Sequence, residues 1–164
     1  MTYPPQQPYQ PYPSEGGDPG YLSSAGAYAS WIKRVGAYVV DVLPTVPFSI
    51  LAVVLGQEPA TTTGGLPTYN TMYYVFSALS LVVWGYNRWF LAGKTGQSWG
   101  RKALGIRLVK DDTRQPIGAG LAFGRDIAHF VDTIICLIGY LFPLWDAKRQ
   151  TLADKLVKTV VVDV

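Results

Sequence analysis

Two charged residues, Arg34 and Asp41, stand at the edge of and inside a long apolar run, RVGAYVVDVLPTVPFSILAVVL. Their spacing of seven places them on one face of an α-helix but about 10 Å apart along its axis, too far for direct contact. A charged side chain inside a membrane span costs about 2.5–3.5 kcal/mol on insertion scales and usually faces a protein interior, a partner or a cavity. We therefore expect Arg34 and Asp41 each to have another partner.

Two prolines, Pro44 and Pro47, follow Asp41 in the same run. Because proline has no N–H, the carbonyls of Val40 and Leu43 are expected to lose their helical donors. Free carbonyls beside a carboxylate are the arrangement with which broken transporter helices bind cations. The pattern predicts either a proton or cation site at Asp41 or a buried ion pair that fixes helix packing, and the sequence leaves both open.

A second polar set lies in the apolar stretch LAFGRDIAHFVDTIICLIGYLFPLW, residues 121–145. Arg125, His129 and Asp132 follow one another at helical spacing, so they form one polar stripe that we expect to supply partners for Asp41. His129 is the only histidine and is able to titrate near neutral pH. No cluster of further ligands accompanies it in the sequence, and no nucleophile set stands out. We predict no metal, no cofactor and no enzymatic activity.

Three apolar segments must position these residues. The chain of 164 residues is 49% hydrophobic and 15% charged, with a mean hydropathy of +0.15, which is too apolar for a soluble domain of this size. Residues 35–55 and 72–92 are each long enough to cross a hydrocarbon core of about 30 Å as a helix. Residues 121–145 are long enough to cross once as well. The sequence therefore predicts a multi-pass protein of the cell membrane.

The placement of basic residues predicts the orientation. Most of them lie between Arg88 and Arg125, and Lys33 and Arg34 precede the first span, whereas the loop 56–71 has none. The positive-inside rule then places the N-terminus and the central segment in the cytoplasm and the loop outside. Arg88, near the end of the second span, is expected to reach back to the headgroups. We expect this face to contact anionic lipid headgroups, and no nucleic acid, because the folded basic surface that nucleic acid requires is missing.

The segment 121–145 has two interpretations. A single crossing would place the basic C-terminal residues outside, against the charge rule. The β-branched runs ALGIRLVKDD and KTVVVDV are predicted to pair as a β-ribbon, which requires both on one side of the membrane. We favour a re-entrant or interfacial helical hairpin with bends at Gly139 and Pro143 and a cytoplasmic C-terminus; a third span is the alternative. The predicted fold class is an all-α integral membrane protein with a small cytoplasmic β-ribbon.

Residues 1–27 form a tail rich in Pro, Tyr, Gln and Gly that contains no Lys or Arg. The tail has neither the positive start nor the apolar core of a signal peptide. It cannot bury enough apolar surface to offset the entropy of ordering, so we predict disorder. The tail is either a solvated segment or a docking site for a protein partner, since pairs such as Pro5 and Pro8 have PxxP spacing. The membrane domain is then residues 28–164.

Three segments in order resemble the RDD family of prokaryotic membrane proteins, named for one arginine and two aspartates. They are ASWIKRVGAYVVDVL, GKTGQSWGRKALGIRLV and KRQTLADKLVKTVVV. The resemblance covers roughly residues 28–163 and places Arg34, Asp41 and Asp154 at the signature positions. The Pro/Tyr-rich tail is similar to that of actinobacterial members described as proline-rich antigens. Apart from the resemblance, Thr151 as N-cap would give Asp154 a capping-box role, and pairing with Arg34 is a further alternative.

The family resemblance implies transport of unknown ligands and, for some members, sodium/proton exchange. The leading hypothesis is a small transport-related membrane protein, a cation/proton exchanger or an accessory subunit, acting as a homo-oligomer because two spans cannot enclose a path. In this hypothesis Asp41 takes the proton or cation, and Arg34 with Asp154 holds the cytoplasmic entrance. The alternative is a non-transporting adaptor that binds anionic lipid and recruits partners through its tail.

Overall fold

The computed structural model describes residues 27–59, 65–134 and 138–164, so the predicted disordered tail lies outside the described residues apart from Ala27. The described part is mostly helical. Its elements, in chain order, are α1 (Trp31–Val42), a 3-10 turn (Leu43–Thr45), α2 (Val46–Gly56), β1 (Gln57–Glu58), β2 (Thr68–Tyr69), α3 (Thr71–Gly85), a π-helical segment (Tyr86–Leu91), α4 (Ala92–Thr95), α5 (Trp99–Ala103), β3 (Ile106–Lys110), α6 (Ala119–Ile134), α7 (Ile138–Leu141), a second 3-10 turn (Phe142–Leu144), α8 (Leu152–Leu156) and β4 (Thr159–Asp163).

The first helical run is the predicted first span. Ser30 caps it, since its hydroxyl accepts from the N–H of Lys33, and the helix therefore begins at Trp31 rather than at Val35. Helices α1 and α2 join through the 3-10 turn into 26 residues that are long and apolar enough to cross a membrane. Among the described residues this is the one unbroken helix that meets both conditions.

The second helical run, residues 71–95, includes the predicted second span at 72–92 and packs against α2 as a helical hairpin. Asn70 caps α3 through the N–H of Met72 at 2.9 Å. This run contains Asn87 and Arg88 and is not among the unbroken helices that are both long and apolar enough to count as a span. The number of crossings therefore stays a prediction.

The third apolar segment is bent. Residues 119–134 and 138–144 qualify as a span only when taken together, and their axes differ by 109°. Residues 135–137, between the two parts, lie outside the described residues. Gly139 and Pro143 both lie within the second part rather than between the two, so this bend does not coincide with the predicted bend positions. Gly139 instead lies inside α7, where its missing side chain leaves room for the Asp132 carboxylate.

The predicted β-ribbon is confirmed. Strands β3 and β4 pair antiparallel, from Ile106 opposite Asp163 to Lys110 opposite Thr159. Tyr28 bridges to Val162, so the residues just before α1 lie along the ribbon's edge. β-Branched side chains favour this pairing, and their inward faces form the buried core together with small residues of α1 and α6. The entry to α1, the end of β4 and the start of α6 thus meet at one end of the molecule.

The described residues of α2, α3 and the second half of α6 add little to this core. Large apolar side chains of α2, α3 and α6 are exposed in quantity, among them Val54, Val82, Phe130 and Ile134. An exposed apolar surface of this extent is unusual for a monomer in water and is typical of a surface that contacts lipid or another chain. The ribbon end and the apolar end therefore have different environments.

A candidate charged pocket beside the ribbon

Asp41 is buried and accepts hydrogen bonds from four donors. Its Oδ1 accepts from Asn87 Nδ2 at 2.8 Å and from the N–H of Gly100 at 2.7 Å. Its Oδ2 accepts from Ser98 Oγ at 2.6 Å and from Arg88 Nη1 at 3.3 Å. A carboxylate offers about four lone-pair positions, so these donors occupy the group fully. A proton or cation at Asp41 would have to displace them.

The prolines do not produce the predicted pair of free carbonyls. The carbonyl of Leu43 accepts from the N–H of Val46, because the chain tightens into a 3-10 turn at this point. The hydroxyl of Thr45 donates to the backbone carbonyl of Val42 at 2.7 Å, and the hydroxyl of Ser49 donates to the backbone carbonyl of Thr45 at 3.1 Å. The prediction that a free Leu43 carbonyl contributes to an oxygen-rich cation site is therefore wrong.

Arg88 faces the protein interior, so the prediction that it reaches the headgroups is wrong. Its guanidinium lies 4.8 Å from the ring centre of Trp84 and donates to both Asp41 and Asp126, the latter at 2.9 Å. Trp89 Nε1 also donates to Asp126, at 3.0 Å. The π-helical segment carries these side chains, and such segments often mark functional positions. The signal in the sequence was an Asn-Arg pair inside an apolar run.

Asp154 holds the second ion-pair network. Arg34 Nη1 donates to its Oδ2 and Arg125 Nε to its Oδ1, each at 2.7 Å. Thr151 and Asp154 also form the predicted capping box at the start of α8. Burial alone would raise the pKa of Asp154, but the charges of Arg125 and Arg34 hold it well below its usual range. The two alternatives for Asp154, cap and ion pair, are both present.

The polar stripe of α6 does not supply partners for Asp41, so that prediction is wrong. Arg125 bonds to Asp154, and His129 Nδ1 lies 2.6 Å from Asp132 Oδ2. Asp132 is fully buried, and its Oδ1 has no hydrogen-bond partner among the described residues. The ring of Tyr140 stacks on His129 with ring centres 5.2 Å apart. A buried imidazole–carboxylate pair therefore lies beside the Asp154 network.

A pocket of about 410 Å³ joins the two networks. Its charged lining includes Arg34, Asp41, Arg88, Arg101, Arg125 and His129. Helices α1 and α6, the π-helical segment and α5 supply these side chains, and the ribbon closes one wall with Ile106 and Val161. Arg34 and Asp41 do not contact each other, but both line this pocket. Asp154 is not part of the lining and is joined to it by its ion pairs with Arg34 and Arg125.

Arg101 is a functional candidate that the sequence reasoning missed. The residue is buried, and its Nη1 has no hydrogen-bond partner among the described residues. Burial, together with the charges of Arg88 and Arg125, lowers the pKa of Arg101 to about 9. The side chain is therefore still charged at neutral pH. In the sequence Arg101 is followed by Lys102, and no sequence feature indicates that Arg101 is buried whereas Lys102 is exposed.

Comparison with known proteins shows the family of this chain. The model of the RDD family matches residues 28–158. The chain belongs to the RDD family. As a member it is a membrane-associated protein, which agrees with the apolar helix 31–56 and the exposed apolar surface. Among the described residues, no group of three or more His, Cys, Asp or Glu side chains is arranged to hold a metal ion.

This RDD chain is similar to two mycobacterial proteins. It is 37% identical to the proline-rich antigen of Mycobacterium leprae, with 84% of this chain and 62% of the relative covered. It is 35% identical to a proline-rich antigen homolog of Mycobacterium tuberculosis, with 84% and 64% covered. The chain thus spans less than two thirds of the length of these relatives. No solved structure matches it.

Gly100→Ala is expected to destabilise the domain by about 1–3 kcal/mol, the usual cost of overpacking. A Cβ at Gly100 would overlap the carbonyl of Ala37 and come within 3.0 Å of Asp41 Oδ1. Thermal unfolding of the purified protein in detergent measures the effect. Gly124→Ala is the matched control, because nothing lies within 4 Å of a Cβ at that helical glycine. Equal unfolding temperatures for the two variants would show that α5 does not pack closely on α1.

Proposed function

We propose that this RDD protein is a multi-pass membrane protein with a transport-related function, and that its pocket is the ligand site. The observation that carries the proposal is a pocket lined by ionisable side chains at the junction between apolar helices and the ribbon. Ionisable groups in such positions are costly, and they commonly mark the path of an ion, a proton or a substrate. The resemblance to transport-related members of the family agrees with it.

In this proposal the topology follows the charge rule and the ribbon. The basic residues at the start of the first helical run and at the end of the second, with none in the loop between them, favour a cytoplasmic N-terminus and an outside loop at 56–71. Because β3 and β4 pair and α6 to α7 is sharply bent, a hairpin that returns to the cytoplasmic side fits the chain better than a third crossing. The exposed apolar helix faces support contact with lipid and with further copies in a homo-oligomer.

In this proposal the His129–Asp132 pair, rather than Asp41, takes part in proton coupling. Asp41 already accepts from four donors, which suits a structural ion pair. A contact of 2.6 Å between an imidazole nitrogen and a buried carboxylate requires a shared proton, so the pair gains or loses protons as a unit. The Oδ1 of Asp132 has no hydrogen-bond partner among the described residues, so it can accept a further proton. Arg34 and Asp154 then hold the wall of the entrance.

Flux in reconstituted vesicles tests this function. Wild-type protein is expected to dissipate an imposed proton or sodium gradient, and Asp132→Asn is expected to abolish that flux while the protein still folds. Asp163→Asn is the matched control, because its carboxylate lies at the ribbon surface and pairs with the half-exposed Lys33. Absence of any proton- or sodium-dependent flux in the wild type, or full flux in Asp132→Asn, contradicts the proposal.

A second candidate is a membrane adaptor, in which exposed lysines such as Lys94 and Lys102 bind anionic lipid and the tail recruits a partner. Deletion of residues 1–27 separates the two functions. If the deletion variant keeps an intact membrane domain but no longer replaces the wild-type protein in cells, the adaptor is favoured. If it replaces the wild-type protein fully, the transport-related function is favoured.

A further inference from the structure

The arginines of the pocket outnumber their carboxylate partners. Four arginines line it: Arg34, Arg88, Arg101 and Arg125. The carboxylates bonded to them are Asp41, Asp126 and Asp154. These pairings involve three of the four arginines and leave Arg101 without a salt bridge among the described residues. The set carries one positive charge in excess.

Arg101 is held in place although nothing described neutralises it. Helix α5 begins at the Ser98 cap, whose hydroxyl accepts from the backbone N–H of Arg101 at 3.3 Å and donates to Asp41. The backbone of Arg101 is therefore fixed beside the Asp41 network, and its side chain is buried. Asp41 and Asp126 act on Arg101 electrostatically, but both are bonded to Arg88. A buried charge without a partner is costly, and an opposite charge from a ligand would compensate it.

A second free donor lines the same pocket. Arg34 Nη1 bonds to Asp154, but Arg34 Nη2 is buried without a hydrogen-bond partner among the described residues. Guanidinium groups bind the oxygens of phosphates and carboxylates through paired N–H donors, and they do so better than a point charge. Two arginines with unused N–H groups therefore converge on one space.

Apart from Asp41, His129, Thr133 and Thr151, the rest of the lining is apolar or aromatic. It includes Trp31, Val35, Tyr38, Ile106, Tyr140 and Pro143. The volume of about 410 Å³ lies within the range of roughly 300–1,000 Å³ that is usual for small-molecule sites, and it exceeds what a bare inorganic anion fills. An occupant with an anionic group and an apolar part matches both portions of the wall.

We infer that the pocket binds an oxyanion, a phosphate or carboxylate group, through Arg101 and Arg34, with the apolar part of the ligand against the aromatic lining. This group belongs either to the headgroup of an anionic lipid or to a soluble organic anion. The inference rests on the proposed function in that it names the ligand class of the same pocket. Binding is measured without a gradient, so it can succeed where flux fails, and flux can occur without it.

The test measures anion binding by the purified full-length chain. In neutral detergent, inorganic phosphate and sulfate are titrated and the rise in unfolding temperature is recorded. In a second arm, nanodiscs of phosphatidylcholine alone are compared with nanodiscs that also contain phosphatidylglycerol. Stabilisation by phosphate or sulfate indicates a soluble anion, and stabilisation by phosphatidylglycerol alone indicates a lipid headgroup. No stabilisation in either arm overturns the inference.

Variants assign the binding to Arg101. Arg101→Gln is expected to weaken anion binding about tenfold or more, because the compensating charge is lost. It is also expected to raise the unfolding temperature of the anion-free protein, because the uncompensated buried charge is gone. Lys102→Gln is the control, since it removes an exposed cation from the same helix, and its binding should stay within about twofold of wild type. Binding by Arg101→Gln equal to that of wild type overturns the assignment.

Arg101→Lys provides the same test if the glutamine variant does not fold. Lysine keeps the charge but loses the planar pair of donors, so anion affinity is expected to fall by a smaller factor, about threefold to tenfold. An affinity equal to that of wild type in this variant would place the anion elsewhere.

Discussion

Asp154→Asn is expected to destabilise the domain by about 3–5 kcal/mol, the usual effect of removing one partner from a buried ion pair. Asp154 is fully buried and bonds to both Arg34 and Arg125, so the substitution leaves two largely buried guanidinium groups without their counter-charge. The same carboxylate accepts from Thr159 and from the N–H of Thr151, and therefore joins α1, α6, α8 and β4 at one point. Chemical or thermal unfolding in detergent measures the loss.

The control for Asp154→Asn is Asp163→Asn. Asp163 pairs with Lys33 at the edge of the ribbon, where both side chains are about one-third or more exposed, and such pairs contribute about 0–1 kcal/mol. Similar stability losses for the two variants would mean that Asp154 is not the junction between the helices and the ribbon.

Asp41→Asn is expected to destabilise the domain by about 3 kcal/mol or more. An asparagine side chain has one acceptor oxygen, whereas Asp41 now accepts two bonds on each of its two oxygens. The amide NH₂ of the new residue would face at least one donor, and Arg88 would lose the charge of one partner. Unfolding in detergent measures this effect, and Asp111→Asn, at a surface pair with Lys148, is the control.

The same variant separates the two functions that the sequence left open for Asp41. In a proton site, asparagine imitates the protonated carboxyl, so the fold is retained and flux is lost. In a structural ion pair, stability falls first, and any loss of flux follows the loss of folded protein. An Asp41→Asn protein as stable as wild type would contradict the structural role given to Asp41 here.

Much of the fold was predictable from local sequence patterns. The β-branched runs at 106–110 and 159–163 were sufficient to predict their pairing, and the TLADKL motif was sufficient for the capping box. The apolar run was sufficient for the helix 31–56. In each case the signal lies within a short segment, where periodicity and cap chemistry act directly on the backbone.

The partners of Asp41 were not predictable in this way. Asn87, Arg88, Ser98 and Gly100 follow Asp41 by 46 to 59 positions, and they meet only through the packing of α1 against the π-helical segment and α5. The α6 stripe was the expected partner because it is the other polar set visible in the sequence. Its members proved to be occupied by one another and by Asp154.

The central claim is that the charged pocket opens beside a ribbon on the same side of the membrane as the entry to α1. Single-cysteine labelling tests it most directly, in a chain whose only cysteine, Cys136, is replaced by serine. Cysteines at three exposed positions, Ala27, Leu66 and Val164, are treated with a membrane-impermeant maleimide in intact cells. The account predicts that Leu66→Cys reacts in intact cells, whereas Ala27→Cys and Val164→Cys react only after permeabilisation. Reaction of Val164→Cys in intact cells alongside Leu66→Cys would contradict it.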